Sequence, residues 1–134
     1  MRALVLLVAV LINIPAIARA DDDVAAGQTV IRSQEQAFSH DDAAMAYSFA
    51  APGIQSQYPA PDIFMSMVRN GYTPVYRHRR FEFGEVRIVN GQIVQAVEIV
   101  DADGAGWEAP YTLEPQPDGS LKISSCVLTR AVTS

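Results

Sequence analysis

Two aspartates in the second half of the chain have the spacing with which carboxylates bind calcium. Asp101 and Asp103 occupy alternate positions and Gly106 follows, as in loops where oxygen ligands surround a hard cation before a glycine turn. However, Ala105 stands at a position that should supply a ligand, and Thr112 stands where a bidentate glutamate is required. We therefore expect a plain hairpin loop here and predict no metal site and no cofactor.

A run of four basic side chains, Arg-His-Arg-Arg from Arg77 to Arg80, has the charge to bind a phosphate or a carboxylate. Alternate residues of a strand face opposite ways, so only half of the run could reach one ligand. We favour a solvated strand entry whose charges pair with Glu82, Glu85 and Glu98.

The two histidines, His40 and His78, are far apart in the sequence and neither has a metal-ligand spacing. A general base also needs an orienting partner, and the sequence shows none. We expect both to be surface residues and predict no catalytic residue.

Cys126 is the single cysteine, so the chain cannot form an internal disulfide. A thiolate nucleophile needs a neighbouring positive group, and the sequence places none beside it. We expect Cys126 to pack as a small hydrophobe, with a disulfide between subunits as the alternative.

Aromatic residues are the other feature with binding potential, because they could enclose a pocket. Binding pockets are mostly apolar with a few placed polar groups. The candidate pocket residues are Tyr47, Met67, Tyr72, Tyr76, Gln95, Trp107 and Tyr111. The alternative is that the rings fill the core. A hollow interior would accept a small apolar or aromatic ligand.

Three helices are expected to position these groups. Apolar residues recur at helical spacing from Val24 to Ser39, with Arg32, Gln34 and Glu35 expected to face away. The break at 40–42 supplies an N-cap for a second helix over 43–50, which Pro52-Gly53 should end. A third helix should begin near Pro61 and end at Gly71.

After Pro74 the pattern alternates until Thr129 and predicts four strands. Asn90-Gly91 between two β-branched runs predicts a tight hairpin. Pro110, inside the third strand, requires either a sheet edge or a local bulge.

The strand before that hairpin contains a parity conflict. Phe81 and Phe83 occupy odd positions, whereas Val86 and Ile88 occupy even ones, so a regular strand would place the pairs on opposite faces. An extra residue at Gly84 would return all four to one face, so we predict a β-bulge there.

Strict alternation assigns the side chains of the last three predicted strands to the two faces of the sheet. The face toward the helices should carry Trp107, Tyr111, Leu121, Ile123 and Val127. The opposite face should carry the apolar residues Val94, Ala96, Val100, Cys126 and Leu128. Because exposed apolar surface commonly marks a two-fold interface, we expect a homodimer through Val94, Ala96, Cys126 and Leu128. Arg87, Glu98 and Lys122 on this face could instead keep it solvated in a monomer.

The first twenty residues have the order of features that is typical of a signal peptide. Arg2 precedes an apolar run over 3–12, and Ala18-Arg19-Ala20 ends the segment. Asn13 and Pro15 stop the run short of the roughly 20 residues that span a bilayer. We expect cleavage after residue 20, no stable membrane anchor, and one domain over 21–134 that is periplasmic, or secreted if the source is not Gram-negative.

Acidic residues outnumber basic ones by 15 to 10, and the sequence pI is near 4.8. Nucleic acid is therefore not an expected partner, because phosphate binding needs a concentrated positive field.

Helices followed by antiparallel strands predict an α+β domain, with three N-terminal helices packed on a curved, cone-like β-meander. This order resembles the nuclear transport factor 2-like (cystatin-like) cone. Three stretches, from Ala46 to Pro52, from Gly71 to Arg77 and from Asp118 to Ile123, resemble the domain of unknown function 4864 family of exported bacterial proteins. That resemblance implies the fold and carries no activity.

Two classes of function remain. We prefer a non-catalytic module that binds a small ligand or another protein, because the acidic residues cluster in turns and on polar strand faces. The alternative is a small-molecule enzyme of the isomerase or hydrolase type that uses a residue inside the cone.

Overall fold

The computed structural model describes residues 16–132, with side chains from residue 20 onward. Most of the predicted signal peptide, residues 1–15, lies outside the described residues. Helix α1 spans Ala16–Ser39 and therefore begins well before Val24 and runs through the predicted cleavage site. No helix in the described range is long and apolar enough to cross a bilayer.

Four shorter helices follow α1 in the first half of the chain. They are α2 (Ala43–Ser48), α3 (Pro52–Gln57), α4 (Pro61–Gly71) and α5 (Thr73–Tyr76). The prediction of three helices was wrong, since α3 and α5 were missed. Pro52 and Pro74 both lie in first turns, where a missing N–H costs nothing, although the sequence favoured reading them as helix breakers. The predicted N-cap is confirmed, because Asp42 accepts the Met45 backbone N–H at 3.1 Å.

Six antiparallel strands form one curled sheet, a half-barrel against which the helices pack. They are β1 (His78–Val89), β2 (Gln92–Asp101), β3 (Gly106–Glu108), β4 (Tyr111–Pro115), β5 (Leu121–Cys126) and β6 (Thr129–Arg130). The order is β5-β4-β2-β3-β6, with β1 on the other edge of β2. The predicted third strand is divided in two at Pro110, whose carbonyl accepts the Val127 N–H.

The first hairpin and its bulge agree with the sequence prediction. Asn90 and Gly91 have positive φ values of 52° and 78°, as a tight turn of this type requires. Phe83 pairs with Val97 and Val86 pairs with Gln95, so two residues of β1 oppose one residue of β2. The predicted β-bulge beginning at Gly84 is confirmed.

A second irregularity, in β5, was not predicted. Ile123 pairs with Leu113, whereas Ser125 pairs with Thr112, so Ser124 is an extra residue in the ladder. The extra residue reverses the alternation for everything that follows it.

This reversal corrects three face assignments. Cys126 pairs with Tyr111 and lies on the helix side of the sheet. Leu128 also packs against the core, whereas Val127, expected inside, is 52% exposed. Cys126 and Leu128 therefore do not belong to the outer apolar face, on which Val94 and Ala96 remain.

The core lies between the helices and the concave side of the sheet. Its largest fully buried side chains include Ile31, Phe38, Ile99, Tyr111 and Leu113. Gly27 allows α1 to approach β4 closely, because a Cβ there would lie 2.3 Å from a Leu113 methyl group.

Candidate functional site

The core is not completely filled: a cavity of about 280 Å³, partly open to solvent, lies between the helices and strands β4 and β5. Its aromatic walls are Phe38, Tyr58, Phe64, Tyr72 and Tyr111. Its polar groups are all uncharged and come from Gln34, Gln57, the tyrosines, Ser124, Ser125 and Cys126. The volume is at the small end of the range for ligand sites, and the mixture of apolar and neutral polar groups is typical of them.

Three predicted pocket residues line this cavity. Tyr72 comes from the junction of α4 and α5, Met67 from α4 and Tyr111 from β4. Met67 lies one turn from the buried Phe64, which explains why both face the same space. Their role in ligand binding stays a prediction.

Tyr47 and Tyr76 lie elsewhere. The Tyr47 hydroxyl donates to the carbonyls of Tyr58 at 2.7 Å and Gln55 at 3.2 Å, which ties α2 to α3. The Tyr76 hydroxyl donates to Asp41, and the Arg77 guanidinium lies 3.9 Å from its ring centroid. Both tyrosines hold helices in place.

Gln95 is fully buried but does not line the cavity. Its Nε2 donates to the carbonyls of Gly84 at 3.0 Å and Ala96 at 2.8 Å, and its Oε1 accepts from Gln28 Nε2 at 3.0 Å. Gln95 thus ties the bulge in β1 to α1.

Trp107 lines a separate open groove of about 670 Å³ at the end of the sheet. Its Nε1 donates to Asp101 Oδ2 at 2.8 Å, and Asp101 Oδ1 accepts the N–H groups of Asp103 and Ala105 at 2.9 Å each. The Trp107 hydrogen bond, followed by these backbone bonds, lowers the pKa of Asp101. The predicted hairpin loop is confirmed, with Asp101 as the acceptor that organises it.

Three ionisable groups of the cavity, Tyr72, Tyr111 and Cys126, stay neutral near pH 7. Burial raises the pKa of the Cys126 thiol to about 12, although a hydrogen bond with Tyr111 opposes the shift. Burial raises the pKa of Tyr111 well above its usual value, and the nearby Cys126 and Glu35 add to this effect. Burial also raises the pKa of Tyr72. The thiol is therefore a poor nucleophile, consistent with the expectation of a packed hydrophobe.

Comparison with known families confirms the resemblance to the domain of unknown function 4864 family. The model of the family described as "Domain of unknown function (DUF4864)" matches residues 20–134. The chain belongs to this family. No match was found among curated proteins or among solved structures.

Gln34 and Tyr58 are among the cavity residues that sequence reasoning missed. Gln34 was expected to face away but is only 4% exposed, and its Nε2 donates to the Ala46 carbonyl at 3.2 Å. Its position three residues after Ile31 and four before Phe38 puts it on the buried face, a signal that its polarity concealed. Tyr58 directly follows the unpredicted helix α3 and had no assigned place.

The protein also contains an acid–base pair that the sequence did not reveal. His78 Nε2 lies 2.6 Å from Glu35 Oε2, and its Nδ1 lies 3.0 Å from the Pro74 carbonyl. Only 14% of the His78 side chain is exposed, so its assignment to the surface was wrong. Because both neighbours are acceptors, both bonds form together only when both ring nitrogens carry hydrogen.

Arg32 completes this cluster, since its Nη1 donates to Glu35 Oε1 at 2.6 Å. Burial raises the pKa of Glu35, but the hydrogen bonds from His78 and Arg32 outweigh burial, and the pKa is lowered overall. The cluster joins α1 to β1 and does not line the cavity.

The remaining basic residues pair only in part as expected. Arg80 Nε donates to Glu82 Oε1 at 3.0 Å, as predicted. Arg77 instead pairs with Asp41 at 3.0 Å, so Glu85 and Glu98 are not its partners.

Proposed function

We propose that this protein is an exported, non-catalytic module that binds one small, uncharged, apolar or aromatic molecule in the cavity between the helices and β4 and β5. The observation that carries the proposal is the neutrality of this lining: about 280 Å³ of space is bounded by aromatic rings, aliphatic groups and uncharged polar groups.

Physical chemistry favours a neutral ligand. Moving an ionised group into such surroundings without a partner costs far more than hydrogen bonds to neutral groups return. The lining still offers specificity, because Gln34 uses Nε2 for the Ala46 carbonyl and keeps Oε1 to accept a hydrogen bond. The hydroxyls of Tyr58 and Tyr72 can donate or accept.

The non-catalytic reading rests on where the acid–base chemistry lies. Glu35 and His78 are bonded to each other and to Arg32 and Pro74, outside the cavity lining. The thiol inside the cavity has a pKa of about 12, far from the range in which a nucleophile works at neutral pH. An isomerase or hydrolase would need a group poised near the working pH.

The finer fold and compartment assignments belong to the same proposal. The curled half-barrel with helices on its concave side supports a place among the nuclear transport factor 2-like cones. The charge, apolar run and small-residue ending of residues 1–20 support export.

Displacement of a neutral fluorescent probe tests the binding proposal. The purified protein should bind 1-N-phenylnaphthylamine with one site per chain. Met67→Trp, which fills the cavity, should weaken binding at least about tenfold, a change of about 1.4 kcal/mol. The matched control Met45→Trp alters an exposed methionine of α2 and should leave the affinity unchanged. Equal affinities for the two variants, or no binding by the wild type, would refute the proposal.

A further inference from the structure

The cavity and the Trp107 groove share two wall residues. Tyr72 and Cys126 appear in the lining of both spaces, so a single layer of side chains separates them. We propose that the two spaces are one bipartite site for an elongated, uncharged amphiphile, whose apolar end fills the cavity and whose hydrogen-bonding end lies beside Trp107. This inference rests on the proposed function of the cavity.

The two wall residues are held differently. Cys126 lies within β5, where it pairs with Tyr111 of β4. Tyr72 lies at the junction where α4 ends and α5 begins. Burial raises the pKa of its hydroxyl, and the nearby Cys126 and Tyr58 add to this effect. No hydrogen bond to a described residue contributes to the shift. Because Tyr72 lines both spaces, rotation of its side chain would open the cavity toward the groove, and it would break no hydrogen bond to a described residue.

Two of the three charged side chains that line the groove, Arg77 and Asp101, already have partners. The Arg77 guanidinium pairs with Asp41 and donates to the carbonyls of Phe38 and Tyr76. The Asp101 carboxylate accepts three N–H groups of its own loop. Neither residue is left as a counterion, and the remaining carboxylate at the rim, Asp103, disfavours an anion. A neutral polar group such as a hydroxyl is the chemistry that fits.

The groove also has an apolar floor, along which the alkyl chain of a ligand can continue from the cavity. Trp107 is half-buried, and Pro74 and Leu128 line the same space. A chain that leaves the cavity past Tyr72 would continue to bury methylene groups along these side chains. Each additional buried methylene should then strengthen binding about fourfold.

Trp107 is the single tryptophan of the chain, so its fluorescence and its indole N–H resonance report on the groove of the unmodified protein. We would titrate the wild-type protein with hexan-1-ol and dodecan-1-ol, following displacement of 1-N-phenylnaphthylamine from the cavity and the Trp107 signals in parallel. Both alcohols should displace the probe, and only dodecanol should shift the indole resonance.

The outcomes separate this inference from the function on which it depends. If dodecanol displaces the probe without changing the Trp107 signals, the cavity binds ligands but the bipartite site is refuted. If hexanol shifts Trp107 as strongly as dodecanol, the short alcohol occupies the groove itself and the proposal also fails. If neither alcohol nor the probe binds, the proposed function falls as well.

Two further measurements sharpen the result. Trp107→Leu should weaken dodecanol about fivefold, within the range for loss of an aromatic contact, and change hexanol less than about twofold. Ile88→Leu, at an exposed position outside both linings, is the control. Dodecanoate should bind at least about tenfold more weakly than dodecanol. Equal or tighter binding of dodecanoate would overturn the assignment of an uncharged ligand.

Discussion

Two regions of this protein bury several polar side chains, and they differ in how those groups are satisfied. At the junction of α1 and β1, Glu35 and His78 are only 13% and 14% exposed, and every heteroatom of the two side chains has a partner at 2.6–3.0 Å. In the cavity, the polar groups are neutral, and among the described residues Gln34 Oε1 has no hydrogen-bond partner. A closed network of charges holds elements together, whereas a set of neutral groups around empty space supports our proposal that the cavity binds a ligand.

The largest expected effect breaks the closed network. His78→Leu leaves the Glu35 carboxylate buried with Arg32 as its remaining partner, and should reduce the free energy of unfolding by about 2 to 3 kcal/mol. Urea denaturation measures this change. Arg80→Leu, which removes an exposed pair with Glu82, should cost less than about 1 kcal/mol. Equal losses would show that the His78 cluster contributes no more than a surface ion pair.

A pair of Tyr→Phe variants compares the two kinds of buried polar group directly. Tyr47→Phe removes the donor to two backbone carbonyls and should lower the free energy of unfolding by about 1 to 2 kcal/mol. Tyr72→Phe should change it by less than about 0.5 kcal/mol, because no hydrogen bond is lost. Thermal and urea unfolding of both variants provide the measurement. If Tyr72→Phe lowers the free energy of unfolding more than Tyr47→Phe does, our distinction between structural and binding groups is wrong.

The ionisation of Glu35 should make the free energy of unfolding depend on pH. Because its folded-state pKa lies below the ordinary value of 4.5, its contribution is present above pH 4.5 and is lost as the pH falls through the folded pKa. The difference in unfolding free energy between wild type and Glu35→Gln should therefore shrink as the pH falls below 4.5. A difference that grows on acidification would contradict the lowered pKa.

The smallest expected effect concerns the outer face of the sheet. With Cys126 and Leu128 reassigned to the helix side, the proposed homodimer depends on Val94, Ala96 and Val100. Sedimentation equilibrium should show dimers that Val94→Glu dissociates without altering the unfolding midpoint. Leu128→Glu would disturb the core instead, so it is not a test of the interface. A wild-type monomer at tens of micromolar would remove the dimer.

Local chemistry explains which features of the fold could be predicted from the sequence. The bulge at Gly84 was predictable because side chains with a clear face preference, such as Phe83 and Val86, flank it on both sides. The bulge at Ser124 was not, because serine has no such preference and the adjacent apolar residues Val127 and Leu128 fit either phase.

The site was less accessible to prediction than the fold. Met67 and Tyr72 could be assigned to the pocket because apolar and aromatic residues face inward, whereas Gln34 was misplaced because its polarity outweighed its helical spacing. Contacts such as that between Glu35 and His78 join residues 43 positions apart, and no local pattern specifies them. The volume of the cavity depends on packing between several elements and leaves no mark in any single segment.

The most direct test of the neutral cavity is the affinity of the wild-type protein for two compact ligands that share a ring and differ in charge. By isothermal titration calorimetry, 4-ethylphenol should bind with one site per chain, and 4-ethylbenzoate should bind at least about tenfold more weakly because its carboxylate finds no buried counterion. Equal or tighter binding of 4-ethylbenzoate would contradict the account.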